Sequence, residues 1–242
     1  MKKKVTLVLS LLLLLSVNLG FVSAHEIFAN GSAGAYIIWS NTNLNSSGGP
    51  ALKVNSVIDS STTAGGRYAA LYQSAMSQWN GLVCGNVTIT ISYVPLAANP
   101  NVYISNSSYV WQDLGSPINV MGITKIYDTS GSEISSYSTA IASTGLIKQC
   151  SIYLNPSLSV FKQGGYSDTS TVVTNRIKKT IAHETGHVML LGHPDRTTYN
   201  PISSTVSSLM RQGFPNSTNI PIGPATHEIN DIKNKYQYHL TL

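Results

Sequence analysis

The hydrophobic positions of the chain follow two different periods, and together they predict an α+β domain. In several short runs apolar and polar residues alternate or β-branched and aromatic residues cluster, which is typical of strands. These predicted strands cover residues 35–39, 87–94, 102–110, 118–127, 137–143 and 149–154. The Asn-, Ser- and Gly-rich residues 41–50 predict a loop.

Three other segments repeat their apolar residues every three or four positions, which predicts amphipathic helices. These helices cover residues 68–79, residues 171 to about 190 or 191, and residues 226–236. Residues 168–170 provide side chains that can cap the second helix. Three basic residues of that helix are expected to form a solvated face: Arg176, Lys178 and Lys179.

The first 24 residues have the pattern of a secretory signal peptide. Three lysines at positions 2–4 precede a leucine-rich apolar run, and Val22-Ser23-Ala24 resembles a cleavage site. The run is short for a transmembrane anchor, although an uncleaved anchor is the alternative. We therefore predict an extracellular protein that is cleaved near Ala24, has no stable membrane anchor, and folds residues 25–242 as one domain.

Charge gives no reason to expect a nucleic-acid partner. The sequence has 15 basic and 10 acidic residues, a formal net charge of +5. Three of the basic residues belong to the predicted signal peptide, so the predicted mature chain is nearly neutral. A protein that binds nucleic acid through its phosphates usually has a strongly basic surface.

Cys84 and Cys150 are the only cysteines of the sequence. In an oxidising compartment an even number of cysteines favours a disulfide. A bond between them would close a loop of roughly 65 residues and would stabilise the fold by about 4 kcal/mol. Two buried free thiols are the alternative, because sequence alone does not show that the two residues meet.

The candidate chemistry is concentrated in residues 180–195, T-I-A-H-E-T-G-H-V-M-L-L-G-H-P-D. His183 and His187 are four residues apart, so a helix places both imidazoles on one face. Two such imidazoles can bind one Zn²⁺ at about 2.0–2.1 Å. Glu184 lies beside that metal without binding it, where a carboxylate can move a proton between a water molecule and a leaving amine.

His193 can reach the same metal only if the helix ends and the chain turns back. On a straight helix it would lie about nine ångströms further along the axis than His187. Gly192 and Pro194 flank His193 and favour such a turn.

This pattern resembles the H-E-x-x-H-x-x-G-x-x-H motif of the metzincin clan of zinc peptidases, and within it the matrixin-like enzymes. The three ligands and the general base of that motif fall on His183, His187, His193 and Glu184. Gly186 matches the H-E-x-G-H form that is common in matrixins. The turn glycine of the family falls at Leu190, where a left-handed backbone would cost about 1–2 kcal/mol.

The resemblance extends to Met210 and to the fold. Ser208-Leu209-Met210 is similar to the S-x-M of the metzincin Met-turn, which would place Met210 under the histidines as an apolar floor.

The implied fold is a twisted, mixed, five-stranded sheet with an N-terminal helix, an active-site helix and a C-terminal helix. An antiparallel edge strand would pair with the substrate. Residues 118–127 are favoured for that strand over residues 137–143.

The resemblance implies a monomeric, secreted endopeptidase with one catalytic Zn²⁺ and a protein or peptide substrate. No acidic calcium loop is visible, so Ca²⁺ is not indicated, although backbone carbonyls alone could form a site. Two other functions remain open: a zinc-containing binding protein without turnover, and a structural domain without metal. Glu184 favours the enzyme, because a structural zinc site needs no general base.

Overall fold

The computed structural model describes residues 38–115, 120–134, 146–193, 208–211 and 220–239. The strands in these ranges are β1 (Ile38–Trp39), β2 (Ala51–Val57), β3 (Val83–Cys84), β4 (Val87–Thr88), β5 (Thr90–Tyr93), β6 (Val102–Ser105), β7 (Gly122–Asp128) and β8 (Leu146–Leu154). The helices are α1 (Thr63–Met76), α2 (Ser108–Asp113), α3 (Thr171–Val188) and α4 (Thr226–His239).

The main sheet is mixed, as the family resemblance implies, and is five strands wide. Strands β5, β2, β6 and β8 lie side by side in that order and run parallel. Strand β7 pairs antiparallel with the other side of β8. The two residues of β1 pair with the start of β8, ahead of the stretch that pairs with β6. Strand β1 is therefore the sixth strand of the sheet. The sheet stays five strands wide because β1 and β6 pair with successive parts of β8.

Several strand predictions differ from the structure, including the bounds of β7 and β8, which were predicted at 118–127 and 149–154. The central strand β2 lies in a stretch that the sequence analysis left unassigned, although Leu52 and Val54 are buried there. The predicted strand 87–94 is broken at Ile89, because β4 pairs with β3 in a separate sheet while β5 joins the main one. The predicted strand 102–110 ends early, because the Ser107 side chain caps α2. Residues 35–37 and 137–143 lie outside the described residues.

The helices were predicted in number and place except for the short helix α2. Helix α1 begins five residues earlier than expected, because the Thr62 hydroxyl accepts from the backbone N–H of Gly65. Only glycine fits at position 65 of this helix, because a side-chain carbon there would overlap with the backbone carbonyl of Asp59. Helix α3 begins at Thr171 as predicted, with Ser170 as its cap. The C-terminal helix α4 extends three residues beyond the prediction.

Helices α1 and α3 pack on each other, and α3 packs on β7 and β8. The core between them is apolar and aromatic. Its largest fully buried side chains include Trp39, Tyr68, Trp79, Phe161 and Ile104. No helix in the described part of the chain is long and apolar enough to cross a membrane.

Two tryptophans of this core attach helix α3 to the N-terminal half of the chain. The indole N–H of Trp79 donates to the carbonyl of Ala182 at 2.8 Å, and that of Trp39 donates to the carbonyl of Val188 at 3.1 Å. Val188 is the last residue of the helix, where carbonyl groups lack partners within the helix itself. Helix α3 is therefore held at Ala182, in its second half, and at its last residue.

The prediction that three basic residues of α3 form a solvated face is wrong for two of them. Arg176 is buried, and its guanidinium donates to the carbonyls of Phe161 and Gln163 at 2.7 Å each. Lys179 is also buried and donates to the carbonyl of Arg211 at 2.9 Å. Both side chains donate hydrogen bonds to backbone carbonyls of neighbouring segments. Local sequence does not show which carbonyls receive such a bond.

The structure has Cys84 and Cys150 as free, buried thiols in the same core. The disulfide that the sequence favoured is therefore not formed in this structure, and the alternative of two free thiols describes it. Burial raises the pKa of the Cys84 thiol to about 11 and that of Cys150 well above its usual value. Neither residue is a thiolate at neutral pH, so both behave as small apolar side chains.

Candidate metal centre

Three histidine side chains converge at the end of α3. The Nε2 atom of His193 lies 3.0 Å from Nε2 of His183 and 3.1 Å from Nε2 of His187. Three nitrogens that bind one tetrahedral zinc ion at about 2.0–2.1 Å lie about 3.3 Å from each other. The two distances to His193 are close to that value, and the ligand atoms of all three histidines lie within 4.8 Å of one another, so they fit the ligand set of a single metal ion.

The other ring nitrogens fix the tautomer that metal binding requires. Nδ1 of His183 lies 2.9 Å from the carbonyl oxygen of Leu209, and Nδ1 of His187 lies 2.7 Å from that of Leu191. A carbonyl oxygen only accepts, so each Nδ1 carries the proton and each Nε2 keeps its lone pair. Burial, with the neighbouring His187, holds the pKa of His183 well below its usual value, so its ring is neutral.

The turn that returns His193 to the site is centred on Leu190. This residue has a φ of 70°, in the left-handed region. Its N–H donates to the carbonyl of His187 at 2.8 Å, and the N–H of Leu191 donates to that of Gly186 at 3.1 Å. This pair of bonds is the Schellman arrangement, which usually has glycine at the left-handed position.

Leu190 therefore adopts the strained conformation at the position where the family resemblance implies glycine. Helix α3 consequently ends at Val188, two or three residues earlier than the sequence predicted. The Leu190 side chain is fully buried. Burial of a leucine contributes about 1.5–3 kcal/mol, which offsets a left-handed penalty of about 1–2 kcal/mol.

Met210 lies directly against the helix turn that separates His183 from His187. A side-chain carbon on Gly186 would overlap with the sulfur of Met210 and would lie 3.2 Å from the ring of Trp79. Met210 is fully buried. The structure therefore places Met210 beside the histidine-bearing turn, where the sequence analysis expects an apolar floor.

Glu228 of α4 holds the segment that carries Met210. Its Oε1 accepts from the Ser208 hydroxyl and the Met210 N–H at 2.8 Å each, and its Oε2 accepts from the Ala225 N–H at 2.6 Å. The segment in turn presents the carbonyl of Leu209 to His183. The sequence analysis missed this role, since a glutamate in a first helical turn is expected there for the helix dipole alone.

Glu184 directly follows His183 in the sequence. Its side chain is buried and contacts strand β7. The Thr124 hydroxyl lies 2.7 Å from its Oε2, and a side-chain carbon on Gly122 would lie 2.8 Å from its Cγ. Burial raises the pKa of Glu184 to about 7, although the bond from Thr124 acts to lower it. The sequence analysis named neither Gly122 nor Thr124, because their contact with Glu184 joins distant parts of the chain.

Strand β7 runs antiparallel and is the outermost strand on its side of the main sheet among the described residues. It covers 122–127 of the preferred range 118–127, whereas residues 120 and 121 are not strand. The turn after β7 folds back on its end, where the Ile134 N–H donates to the Ile126 carbonyl at 2.8 Å. The outer edge of residues 122–125 pairs with no other strand in the described ranges. Among the described residues, the part of the edge that has no strand partner is therefore the part beside Glu184.

The fold and the site together define a mixed α/β protein with a candidate three-histidine metal centre. Neither a protein-family model nor a curated protein sequence matches the chain. Among solved structures, it is similar to a chain of the ECX AB5 holotoxin in its GM1-bound form. The two share 14% identity over 86% of each chain, with a TM-score of 0.45. A likeness this weak carries no information on function, which we infer from the site itself.

Proposed function

We propose that the protein is a secreted zinc endopeptidase of the metzincin type. The observation that carries this proposal is the convergence of three Nε2 atoms at the end of α3, together with the buried Glu184, which follows His183 in the helix and contacts the outermost described strand, β7. Metal ligands, a proton-transfer group and an unpaired strand edge are the parts that such a reaction needs. The predicted signal peptide supports secretion.

The three histidines suit zinc in a catalytic role. They offer three neutral nitrogen ligands and leave a fourth position for water or substrate, whereas structural zinc sites use four protein ligands. A zinc ion held there would polarise the substrate carbonyl and lower the pKa of a water molecule. The bonds from Nδ1 of His183 and His187 to backbone carbonyls hold both rings in the orientation for binding.

Glu184 supplies the proton transfer in this proposal. Its carboxylate takes one proton from the attacking water while the oxygen of that water adds to the carbonyl carbon. It then gives the proton to the amine nitrogen as the carbon–nitrogen bond breaks. One water is consumed, and the products are a new carboxyl group and a new amino group.

The edge of β7 supplies the position of the substrate. An extended peptide can add to an unpaired strand edge through main-chain hydrogen bonds, whatever its side chains. Residues 122–125 offer such an edge, and Gly122 and Thr124 contact the Glu184 carboxylate. A peptide bound there would therefore pass beside the proposed base.

The test compares the mature protein, residues 25–242, with its Glu184→Gln variant. We expect wild type to contain one zinc ion per chain and to cleave peptides of a diverse quenched-fluorescent library. The variant keeps the zinc ligands and loses the base, so we expect it to bind zinc and to be slower by about 10²–10⁴-fold. A His193→Ala variant is expected to lose zinc as well as activity.

Each alternative predicts a different result. Zinc-loaded wild type without turnover on the library would favour a binding protein. Wild type that binds no zinc would favour a structural domain. A folded, zinc-loaded Glu184→Gln variant with nearly wild-type rates would contradict the role of Glu184 even if the protein is a peptidase.

A further inference from the structure

Two residues of β7 meet the carboxylate of Glu184 from the same face of the strand. Gly122 and Thr124 are two positions apart, and alternate residues of a strand point to the same side. A side-chain carbon on Gly122 would lie 2.8 Å from Cγ and 2.9 Å from Oε1 of Glu184. Gly122 therefore leaves room for the carboxylate, and Thr124 provides a hydroxyl group.

The Thr124 hydroxyl has one proton and two neighbouring acceptors. Its Oγ1 lies 2.7 Å from Oε2 of Glu184 and 3.1 Å from the backbone carbonyl oxygen of the same residue. The shorter contact is to the carboxylate, so the hydroxyl donates to Oε2. The hydroxyl therefore fixes one oxygen of the Glu184 side chain.

The second carboxylate oxygen is left for chemistry. Oε1 of Glu184 has no hydrogen-bond partner among the residues that the structure describes. A glutamate side chain has several rotatable bonds and would otherwise sample several rotamers. With Oε2 held against β7, the carboxylate keeps one orientation while Oε1 remains able to exchange a proton.

We infer that Thr124 is a positioning residue for the proposed peptidase reaction, which holds Oε2 of Glu184 so that Oε1 carries the proton. The inference rests on the proposed function. It also links two parts of that function, because the strand that orients the base is the strand to which an extended substrate would add. Substrate register and base orientation are then set by the same three residues of β7, 122–124.

The test uses two substitutions of Thr124 with different side chains. Thr124→Val keeps the branched shape and removes the hydroxyl, while Thr124→Ser keeps the hydroxyl and removes a methyl group. We expect Thr124→Val to lower kcat by about 10–100-fold, because displacing a reacting group by about 1 Å costs on the order of 100-fold. KM and the zinc Kd are expected to stay within about 2-fold.

Three further measurements separate positioning from a general loss of structure. Thr124→Ser is expected to keep kcat within about 3-fold of wild type, since its hydroxyl can make the same bond. Thr90→Val serves as the control, because Thr90 is an exposed threonine on strand β5, remote in the sheet from β7, and its substitution should leave kcat unchanged. Crystal structures of wild type and Thr124→Val are expected to show the Glu184 carboxylate displaced from β7 in the variant.

The outcomes distinguish this inference from the proposed function. Wild-type turnover together with an unchanged kcat in Thr124→Val would overturn the positioning role and leave the peptidase intact. A Thr124→Ser variant as slow as Thr124→Val would also overturn it, because the hydroxyl would then not be the group that matters. If wild type binds zinc without turnover, the peptidase proposal fails, and an undisplaced Glu184 carboxylate in Thr124→Val rejects the positioning role independently.

Discussion

The backbone of Gly186 and the sulfur of Met210 are in contact with no space for a side-chain carbon between them. Gly186 lies on the helix turn between His183 and His187, and Met210 belongs to a segment almost 25 residues further along the chain. The contact fixes the distance between the histidine-bearing helix and the segment whose Leu209 carbonyl orients His183. A glycine inside a helix, normally unfavourable, is required here by tertiary packing.

Gly186→Ala is expected to destabilise the protein by about 1–3 kcal/mol, because the new methyl group forces Met210 or the helix to move. The zinc Kd should rise as well, since the orientation of His183 depends on the same segment. Urea unfolding and zinc competition titrations measure the two effects.

The same substitution at Gly66 provides a matched control. Gly66 lies in α1, and a side-chain carbon there would meet only the Ser60 carbonyl oxygen at 3.6 Å, an ordinary contact. Gly66→Ala is therefore expected to stabilise the protein by up to about 1 kcal/mol. Equal stability changes at the two glycines would mean that Met210 does not press on Gly186.

Leu190 allows a test of the turn that brings His193 to the site. Leu190→Gly and Leu190→Ala both delete the same buried side chain, but only glycine adopts a φ of 70° without a penalty. We expect the glycine variant to be the more stable of the two by about 1 kcal/mol, measured by urea unfolding.

Val188 is the control for this comparison, because it is also fully buried but belongs to the regular helix. There the order is expected to reverse, with alanine more stable than glycine by about 1 kcal/mol. The same order at both positions would show that residue 190 is not left-handed in solution.

Glu228→Gln is expected to destabilise the protein by about 2–4 kcal/mol. The carboxylate accepts three hydrogen bonds in a fully buried position, and the amide group of glutamine can only donate on one side. Loosening of the Leu209–Met210 segment should also weaken zinc binding. Urea unfolding and chelator competition provide the measurements.

Glu133→Gln, at an exposed carboxylate, is the control for Glu228→Gln. Glu133 forms an ion pair with Lys125 at 2.7 Å, and its side chain is 39% exposed. Glu133→Gln should change the free energy of unfolding by no more than about 1 kcal/mol. If Glu228→Gln were equally mild, the link from α4 to the metal centre would not be a structural requirement.

The two cysteines are expected to be unreactive in the native protein and reactive after unfolding. Both thiols are buried and have raised pKa values, so a thiol reagent has neither access nor thiolate. In guanidinium without reductant, titration should find both thiols of each chain. A count of zero in the unfolded protein would instead show that the two cysteines form a disulfide.

Local pattern was sufficient for the existence of the three long helices and for the candidate ligands. The spacing of His183 and His187 follows from helix periodicity, and the cap at Ser170 can be recognised from nearby residues. Strand β2 was missed because its alternating residues carry weak local signals. It is stabilised by β5 and β6 on its two sides, which lie dozens of residues away in sequence.

The sequence by itself therefore determined the identity of three candidate metal ligands and of the neighbouring glutamate, because both depend on spacing within a few residues. The mixed character of the sheet was expected only from the family resemblance. Tertiary structure decided that Leu190 takes the left-handed turn, that Arg176 and Lys179 are buried, and which residues support the site. Thr124 reaches Glu184 across 60 positions, and Glu228 reaches Met210 across 18. Such contacts exist only once strand, helix and loop are packed together, so no local pattern encodes them.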